Sequence, residues 1–492
     1  MTVDQPLLAA TATLADLEPL LPELVLCGAA FALLMLDLFI DPRRRVLVHV
    51  LAIAALLATA GLIAGGAGGQ GTVLGGMFVR DTMADVLKLV VCLVGALSLV
   101  YAWPYLRARD LYKGEVPVLM LFATLGMMLL VSAGSLVMVY LGLEMLALCS
   151  YALVAIDRDD ARSSEAAMKY FVLGSLASGL LLYGMSLVYG ATGALDLAQI
   201  HGAAASGAHD TLLLAGLVFL VAGIAFKFGA APFHMWLPDT YHGAPTAITV
   251  FIGAAPKIAA FAMAVRLLEA GLGPLSDQWR PMLAVLAALS LGLGNLIALA
   301  QTNLKRMLAY STISHVGFLF LGLAGGGAQG QAAAMFYAIS YAIMSAAAFG
   351  AIVALSSRRT SDGVFEADQI DDFKGLNARN PWMAGLVLCV MASLAGVPPF
   401  LGFWAKLAVL RAALQGDLMW LAVVGIVFAV IGAFYYLRVI KAMYFDEADG
   451  RSPAPVDDRP LRIVFGVNAL ALLALGIFWN PIMAWCQAAF MA

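Results

Sequence analysis

Charge is scarce in this sequence. Asp, Glu, Lys and Arg make up 12% of the 492 residues, against 63% hydrophobic and a mean hydropathy of +0.92. A soluble globular chain carries about twice that share of charge, so the shortage excludes that class and leaves a polytopic membrane protein. There is no excess of basic residues either: the net charge is −3, which argues against a nucleic-acid role. Cysteine is thin and dispersed. Cys27, Cys92, Cys149, Cys389 and Cys486 sit apart in apolar runs, and no CxxC, zinc or iron–sulfur spacing occurs. They read as small packing residues, and no cofactor or metal is expected in this chain. A cleavable signal peptide is also missing, because the first twenty residues have no basic start and carry Asp4, Asp16 and Glu18.

What the chain does have is apolar runs. At roughly 20 residues per crossing, they predict an all-α membrane protein of about fourteen helices. The runs lie near 20–40, 46–65, 83–103, 116–133, 135–156, 166–190, 211–231, 245–269, 281–301, 305–325, 331–355, 382–412, 418–443 and 461–485. Under this count Arg43–Arg45, Arg107, Arg109, Lys113, Arg158, Arg162, Lys305, Arg306, Arg358, Arg359, Lys374, Arg379 and the basic residues of 441–462 share one side. The opposite loops hold only Arg80, Arg280 or Arg411. The positive-inside rule then puts the basic loops in the cytoplasm and both termini outside, as in a multi-pass protein of a bacterial inner membrane. The loop 357–381 reads as a polar lateral segment without chemistry, and the proline-bearing stretch 446–460 as a second loop.

Arginine is nearly absent from the spans, whereas Lys88, Lys169, Lys227, Lys257 and Lys406 lie inside them or at their edges. Arginine cannot lose its proton in a protein, and a buried lysine can. That division suits a proton path. The stretch Lys227–Thr246, KFGAAPFHMWLPDTYHGAPT, joins a lysine to a helix break after a long apolar run. A helix that simply ends, with its lysine snorkelling to the surface, is the competing reading. A second break beside a lysine, Pro398–Pro399 before Lys406, lies five spans later. Spans 4–8 (116–270) and 9–13 (281–445) then form two inverted five-helix repeats with broken helices 7 and 12. Residues 1–115 supply three N-terminal helices, and 446–492 a loop and a last helix. Broken helices at matching places of inverted halves point to an ion path at mid-membrane; two unrelated proline kinks are the alternative.

Other polar groups sit in the spans. Glu144 lies mid-span with no charged neighbour within nine residues, and an unpaired carboxylate there costs about 2.5–3.5 kcal/mol. Lys257 follows Pro256, which frees a carbonyl one turn earlier for a protonated amine or water. His315, among Ser311, Thr312 and Ser314, is either a titrating group or a hydrogen-bonded packing residue. Lys169, close to Arg162 and Glu165, is either functional or a snorkelling surface lysine. Lys88 reads as half of a structural ion pair with Asp81 or Asp85. His234 and His242 flank the seventh-span break without a third ligand at metal spacing.

These residues carry a resemblance. KFGAAPFHMWLPDTYHGAPT, LKRMLAYSTISHVG (Leu304–Gly317) and LAGVPPFLGFWAK (Leu394–Lys406) resemble the signatures of antiporter-like subunits of respiratory complex I, a family that includes Mrp-type cation/proton antiporters. The likeness covers about 116–445 strongly. It implies proton translocation through Glu144 as partner of Lys227, Lys257 as central carrier, then His315 and Lys406, with Lys169 beside a neighbouring subunit. It also implies other membrane-arm subunits and the lipid bilayer as partners, with NADH and quinone handled by other subunits. An Mrp-type sodium/proton antiporter subunit and a structural membrane-arm scaffold are the alternatives.

Overall fold

The computed structural model describes residues 14–41, 44–207, 211–356, 359–360, 363–448 and 458–491. Asp4, Arg43, Arg358, Arg451 and most of the 446–460 loop lie outside them. The chain is helical almost throughout. The helices are α1 (Leu21–Phe39), α2 (Val46–Ala64), α3 (Thr82–Ala108), α4 (Glu115–Val131), α5 (Leu136–Val154), α6 (Ala161–Thr192), α7 (Leu197–Ala205), α8 (Thr211–Phe228), α9 (Trp236–Gly243) and α10 (Thr246–Ala264). They continue with α11 (Ser276–Leu299), α12 (Leu304–Gly325), α13 (Gly327–Leu355), α14 (Leu376–Arg379), α15 (Pro381–Ala395), α16 (Leu401–Gln415), α17 (Met419–Phe445), α18 (Arg459–Ile477) and α19 (Asn480–Ala488). Among the described residues, twelve helices are long and apolar enough to cross a membrane, and α4 and α15 are shorter apolar helices. Each of the fourteen expected runs thus holds a helix; the run near 382–412 is divided between α15 and α16, and the last, expected as one helix, is divided between α18 and α19.

Local chemistry sets many of the starts. Asp81, Ser135, Asp160, Asp196, Asn303, Asn380 and Asp458 each precede a helix and accept a hydrogen bond from one of its first free N–H groups. The Gly-rich segment after α2 closes as a two-stranded hairpin, β1 (Gly71–Val73) against β2 (Phe78–Arg80). A second short pair, β3 (Arg359–Thr360) with β4 (Gly363–Val364), lies in the long polar loop.

The centre of the bundle is α10, α12 and α13, buried along nearly their whole length, while α1, α6, α17 and α18 turn a broad face outward. Small residues let the backbones close up. A Cβ on Gly294 of α11 would lie 2.6 Å from Ser314 N, and one on Gly142 of α5 would lie 2.7 Å from Leu130 N. Such contacts suit helix packing in lipid, where dispersion replaces the hydrophobic effect. Connectivity gives the bundle two ends: a basic end with the loops before α2, α6, α10, α12 and α15, and an opposite end with the hairpin, α7 and α19.

Both expected breaks are present. Leaving α8, the chain turns at Gly229, whose φ is +76°, and resumes as α9; leaving α15 it turns at Gly396, whose φ is +85°, and resumes as α16. Both turns need glycine, since L side chains rarely adopt that region. The segments align as GAAPF (229–233) and GVPPF (396–400), with cis bonds at Ala231–Pro232 and Pro398–Pro399.

Candidate functional site

A broken helix exposes carbonyls that have no intrahelical donor, and in each break a buried lysine fills that role. Lys257 of α10 donates to Phe228 O, the last residue of α8, at 2.7 Å, and its ammonium lies 5.5 Å from the centre of the Trp236 ring. Lys406 of α16 donates to Leu394 O and Ala395 O at the end of α15, at 3.0 and 2.9 Å, over the Phe318 ring. The carbonyl beside Lys257 therefore comes from the break in the neighbouring span, not from the Pro256 kink in its own helix. The break is stapled in turn by Trp236 Nε1 donating to Phe226 O at 3.0 Å and Ala231 N donating to Ser290 Oγ at 2.9 Å.

Depth brings these groups into a row. Lys257 stands eleven positions into α10 and His315 eleven positions into α12, both counted from the basic end. At 1.5 Å per residue each is about 16 Å deep, near the middle of a hydrocarbon core of about 30 Å. Leu394, which receives Lys406, is thirteen positions into α15, or about 20 Å. Between the lysines lie hydroxyls. Ser345 of α13 donates to Gly253 O at 3.0 Å, one turn before Lys257. Tyr341, one turn away on α13, donates to Thr312 Oγ1 at 2.7 Å, and its ring lies 5.0 Å from His315.

His315 is hydrogen-bonded on both ring nitrogens, Nδ1 with Tyr337 OH at 2.7 Å and Nε2 with Tyr436 OH at 3.1 Å. Tyr436 also contacts Ser311 Oγ, and Tyr435 donates to Asn295 Oδ1 at 3.0 Å. A histidine between two hydroxyls can take a proton on one nitrogen and release it from the other. Sequence reasoning named His315 but missed all four tyrosines, Asn295 and Ser345. The available signal was polar residues at helical spacing inside apolar runs, as with Tyr337, Tyr341 and Ser345 on one face of α13.

Glu144 and Lys227 are not in ion-pair contact, but the Glu144 carboxylate is the charge that acts on the Lys227 amine. A cavity of about 20 Å³, enough for a single water, lies beside Lys227 among Leu143, Ala147, Tyr151, Tyr170 and Trp236. Glu144 Oε1 is buried with no hydrogen-bond partner, while Leu141 and Leu148, on the same face of α5, are exposed. Lys169 is not a lone snorkelling side chain: it pairs with Glu165 and with Asp239 of α9, each at 2.8 Å, and Asp239 also holds Arg306 of α12 at 2.8 Å. Asp239 thus ties the short half of the broken seventh span to two neighbours.

Lys88 is paired, but with neither expected partner. It meets Glu23 of α1 at 2.6 Å, both fully buried, because Asp85 is taken by Arg80 and Asp81 by Arg266. The polar loop read as without chemistry is docked onto the bundle by one of its residues. Glu366 inserts between helix ends, accepting from Tyr105 OH at 2.6 Å, Arg109 Nη2 at 2.9 Å and the Thr246 hydroxyl, with Lys305 Nζ 3.8 Å away. Lys305 is itself buried and donates to Ala244 O at 2.8 Å. Burial disfavours the Glu366 carboxylate, but Lys305, Arg109 and the two hydroxyls outweigh that and hold its pKa below the ordinary value. With the folded pKa lowered, the docking energy is complete above the ordinary carboxylate range and is lost as pH falls through the folded value. Amide hydrogen exchange across 363–376, expressed relative to the intrinsic rate at each pH, should therefore be slow at neutral pH and rise only below about pH 4. Glu366→Gln should make it fast at neutral pH; unchanged exchange would show that the loop is held elsewhere.

Comparison with known proteins agrees with this architecture. Residues 133–432 match the family described as NADH:quinone oxidoreductase/Mrp antiporter, transmembrane region. A protein of Xanthomonas euvesicatoria pv. vesicatoria named NADH-quinone oxidoreductase subunit N is 68% identical over 97% of both chains. A chain of respiratory complex I from Thermus thermophilus superposes with a TM-score of 0.80 at 30% identity, covering 95% of this chain and 100% of that one. A chain of the Mrp complex from Dietzia sp. also reaches 0.80, at 23% identity with 97% of each chain covered, a likeness of fold.

Proposed function

The chain belongs to the NADH:quinone oxidoreductase/Mrp antiporter family of membrane subunits, and from that membership we propose that it is a proton-translocating membrane-arm subunit of a NADH:quinone oxidoreductase. In this reading the redox chemistry belongs to partner subunits. Protons enter from the basic, cytoplasmic end near the broken seventh span, pass along Lys227, Lys257, His315 and Lys406, and leave at the opposite end. The observation that carries it is the row at mid-depth: two lysines docked on carbonyls freed by two helix breaks, with hydroxyls and one doubly bonded histidine between them. A lysine on such carbonyls can exchange its proton with water when the break shifts by a few ångströms, because the acceptors belong to a movable joint. The Mrp-type sodium reading rests on a relative of 23% identity, and the relative at 68% carries the oxidoreductase name.

The test uses the intact complex in liposomes, fed with NADH and quinone while lumenal acidification is followed. Acidification should proceed at the same rate without sodium. Lys406→Ala should lower it at least about fivefold, or about 1 kcal/mol in the barrier, with all subunits still present. A sodium requirement would favour the antiporter reading, and full pumping by the Lys406 variant would favour a scaffold.

A further inference from the structure

A cleft of about 230 Å³ opens at the end of the bundle away from the basic loops, between α13, α16 and α19. Its polar lining consists of donors or of amides that can donate: the Arg411 guanidinium, the side chains of Gln329, Gln415 and Gln487, and the Trp404 indole N–H. Trp404 Nε1 is buried with no acceptor among the described residues, although its ring is stacked on Trp479 at 4.9 Å and 13°. An indole N–H can only donate, so this site calls for an acceptor. No carboxylate lines the cleft.

Arg411 differs from the other arginines of this end. Arg80 is committed to Asp85 and Ala67 O, and Arg280 to Ala324 O and Gly325 O. Arg411 makes no hydrogen bond or ion pair among the described residues and is exposed. We propose that this cleft binds the phosphate of an anionic glycerophospholipid, with Arg411 as the charged anchor and the Trp404 N–H as a second donor. The volume admits a phosphate with its glycerol but is smaller than the roughly 300–1,000 Å³ that holds a whole drug-sized ligand. The acyl chains then run over the exposed apolar surface beside it, Leu414, Ile477, Phe478 and Trp485. Headgroup selectivity follows from the missing carboxylate. A zwitterionic lipid brings an amine that finds no anion here, whereas phosphatidylglycerol brings only acceptors and hydroxyls. Planar guanidinium is well matched to phosphate oxygens, and Arg411 stands in the outer half of α16, away from the break. Because Trp404 and Lys406 share one turn of α16, the bound headgroup also fixes the helix that carries Lys406.

The experiment uses the purified intact complex in phosphatidylcholine nanodiscs doped with phosphatidylglycerol bearing a photoreactive headgroup, with adducts mapped by mass spectrometry. Adducts should concentrate in 404–415 and 479–487 and be displaced by unlabelled phosphatidylglycerol. Arg411→Gln should lower them about tenfold, the lower bound for a hydrogen bond to a charged group. Trp404→Phe, which keeps an aromatic ring against Trp479 and removes the donor, should lower them by a smaller factor. Subunit composition verifies assembly of both variants. The proposal is overturned if there are no adducts here, if Arg411→Gln labels as strongly as the parent, if phosphatidylcholine competes equally, or if millimolar inorganic phosphate displaces the label. The last result would mark a site for free phosphate, and no labelling would mark a face covered by a partner subunit.

Discussion

Replacing Lys257 with methionine is expected to lower NADH-driven proton pumping by the assembled complex at least about tenfold, about 1.4 kcal/mol in the barrier, with quinone reduction falling alongside. Lys257 stands between the lysine of the first break and the hydroxyls of α13, and Lys227 is the neighbouring charge that acts on it. Methionine keeps the apolar stem but leaves Phe228 O without its 2.7 Å donor. An unsatisfied buried carbonyl costs about 1–3 kcal/mol, so a structural loss has to be separated from loss of a proton carrier. Lys257→Arg separates them. Arginine supplies a donor and a positive charge in the same place but cannot release its proton. Pumping by the arginine variant should be as low as by the methionine variant, while α8 and α10 stay packed by hydrogen exchange. If arginine pumps at the parental rate, Lys257 is a strut and the row of groups is not a path through its amine.

Much of this site was legible because hydrocarbon makes charge conspicuous. Lys227, Lys257 and Lys406 stand out in apolar runs, and the two proline breaks flag the segments that hold them. Most run boundaries from hydropathy fall within a few residues of the helices, since a buried or lipid-facing helix must be apolar all round; the exception is the last run, which stops at Ile477 and resumes as α19. What stayed hidden was of two kinds. Tyrosine passes as an apolar residue in a composition count, so the hydroxyls around His315 vanished into the spans that carry them. Partners distant in sequence were also invisible. Lys88 has Asp85 one turn away, yet it pairs with Glu23, because Arg80 already occupies Asp85. Glu366 sits in a loop whose composition is merely polar, and only the meeting of α3, α10 and α12 at the basic end turns it into a latch. In each case the information lies in packing between elements, which local pattern does not encode.

Glu144→Ala and Lys227→Ala are each expected to lower coupled pumping about tenfold, and the double variant to lower it about tenfold again relative to the parent, not about a hundredfold. Residues that act as one unit give strongly non-additive effects, whereas independent sites multiply. The geometry favours a unit of moderate strength. The two groups make no direct ion pair, but Lys227 borders a cavity that admits one water, and Glu144 is the carboxylate acting on it. Two opposite charges about 6 Å apart at an effective dielectric near 20 attract by roughly 3 kcal/mol. That is strong enough to govern where a proton resides, yet weak enough for a shift of the broken helix to undo it. A tight buried pair such as Glu23–Lys88, at 2.6 Å, has no such latitude. Glu144→Asp sharpens the test, since it keeps the charge and withdraws it by one methylene: pumping should fall less than with alanine, and the remaining coupling to Lys227 should shrink. Effects that multiply in the double variant would instead mean that Glu144 serves the neighbouring subunit across the exposed face of α5, where Leu141 and Leu148 flank it, and that Lys227 draws its proton from elsewhere.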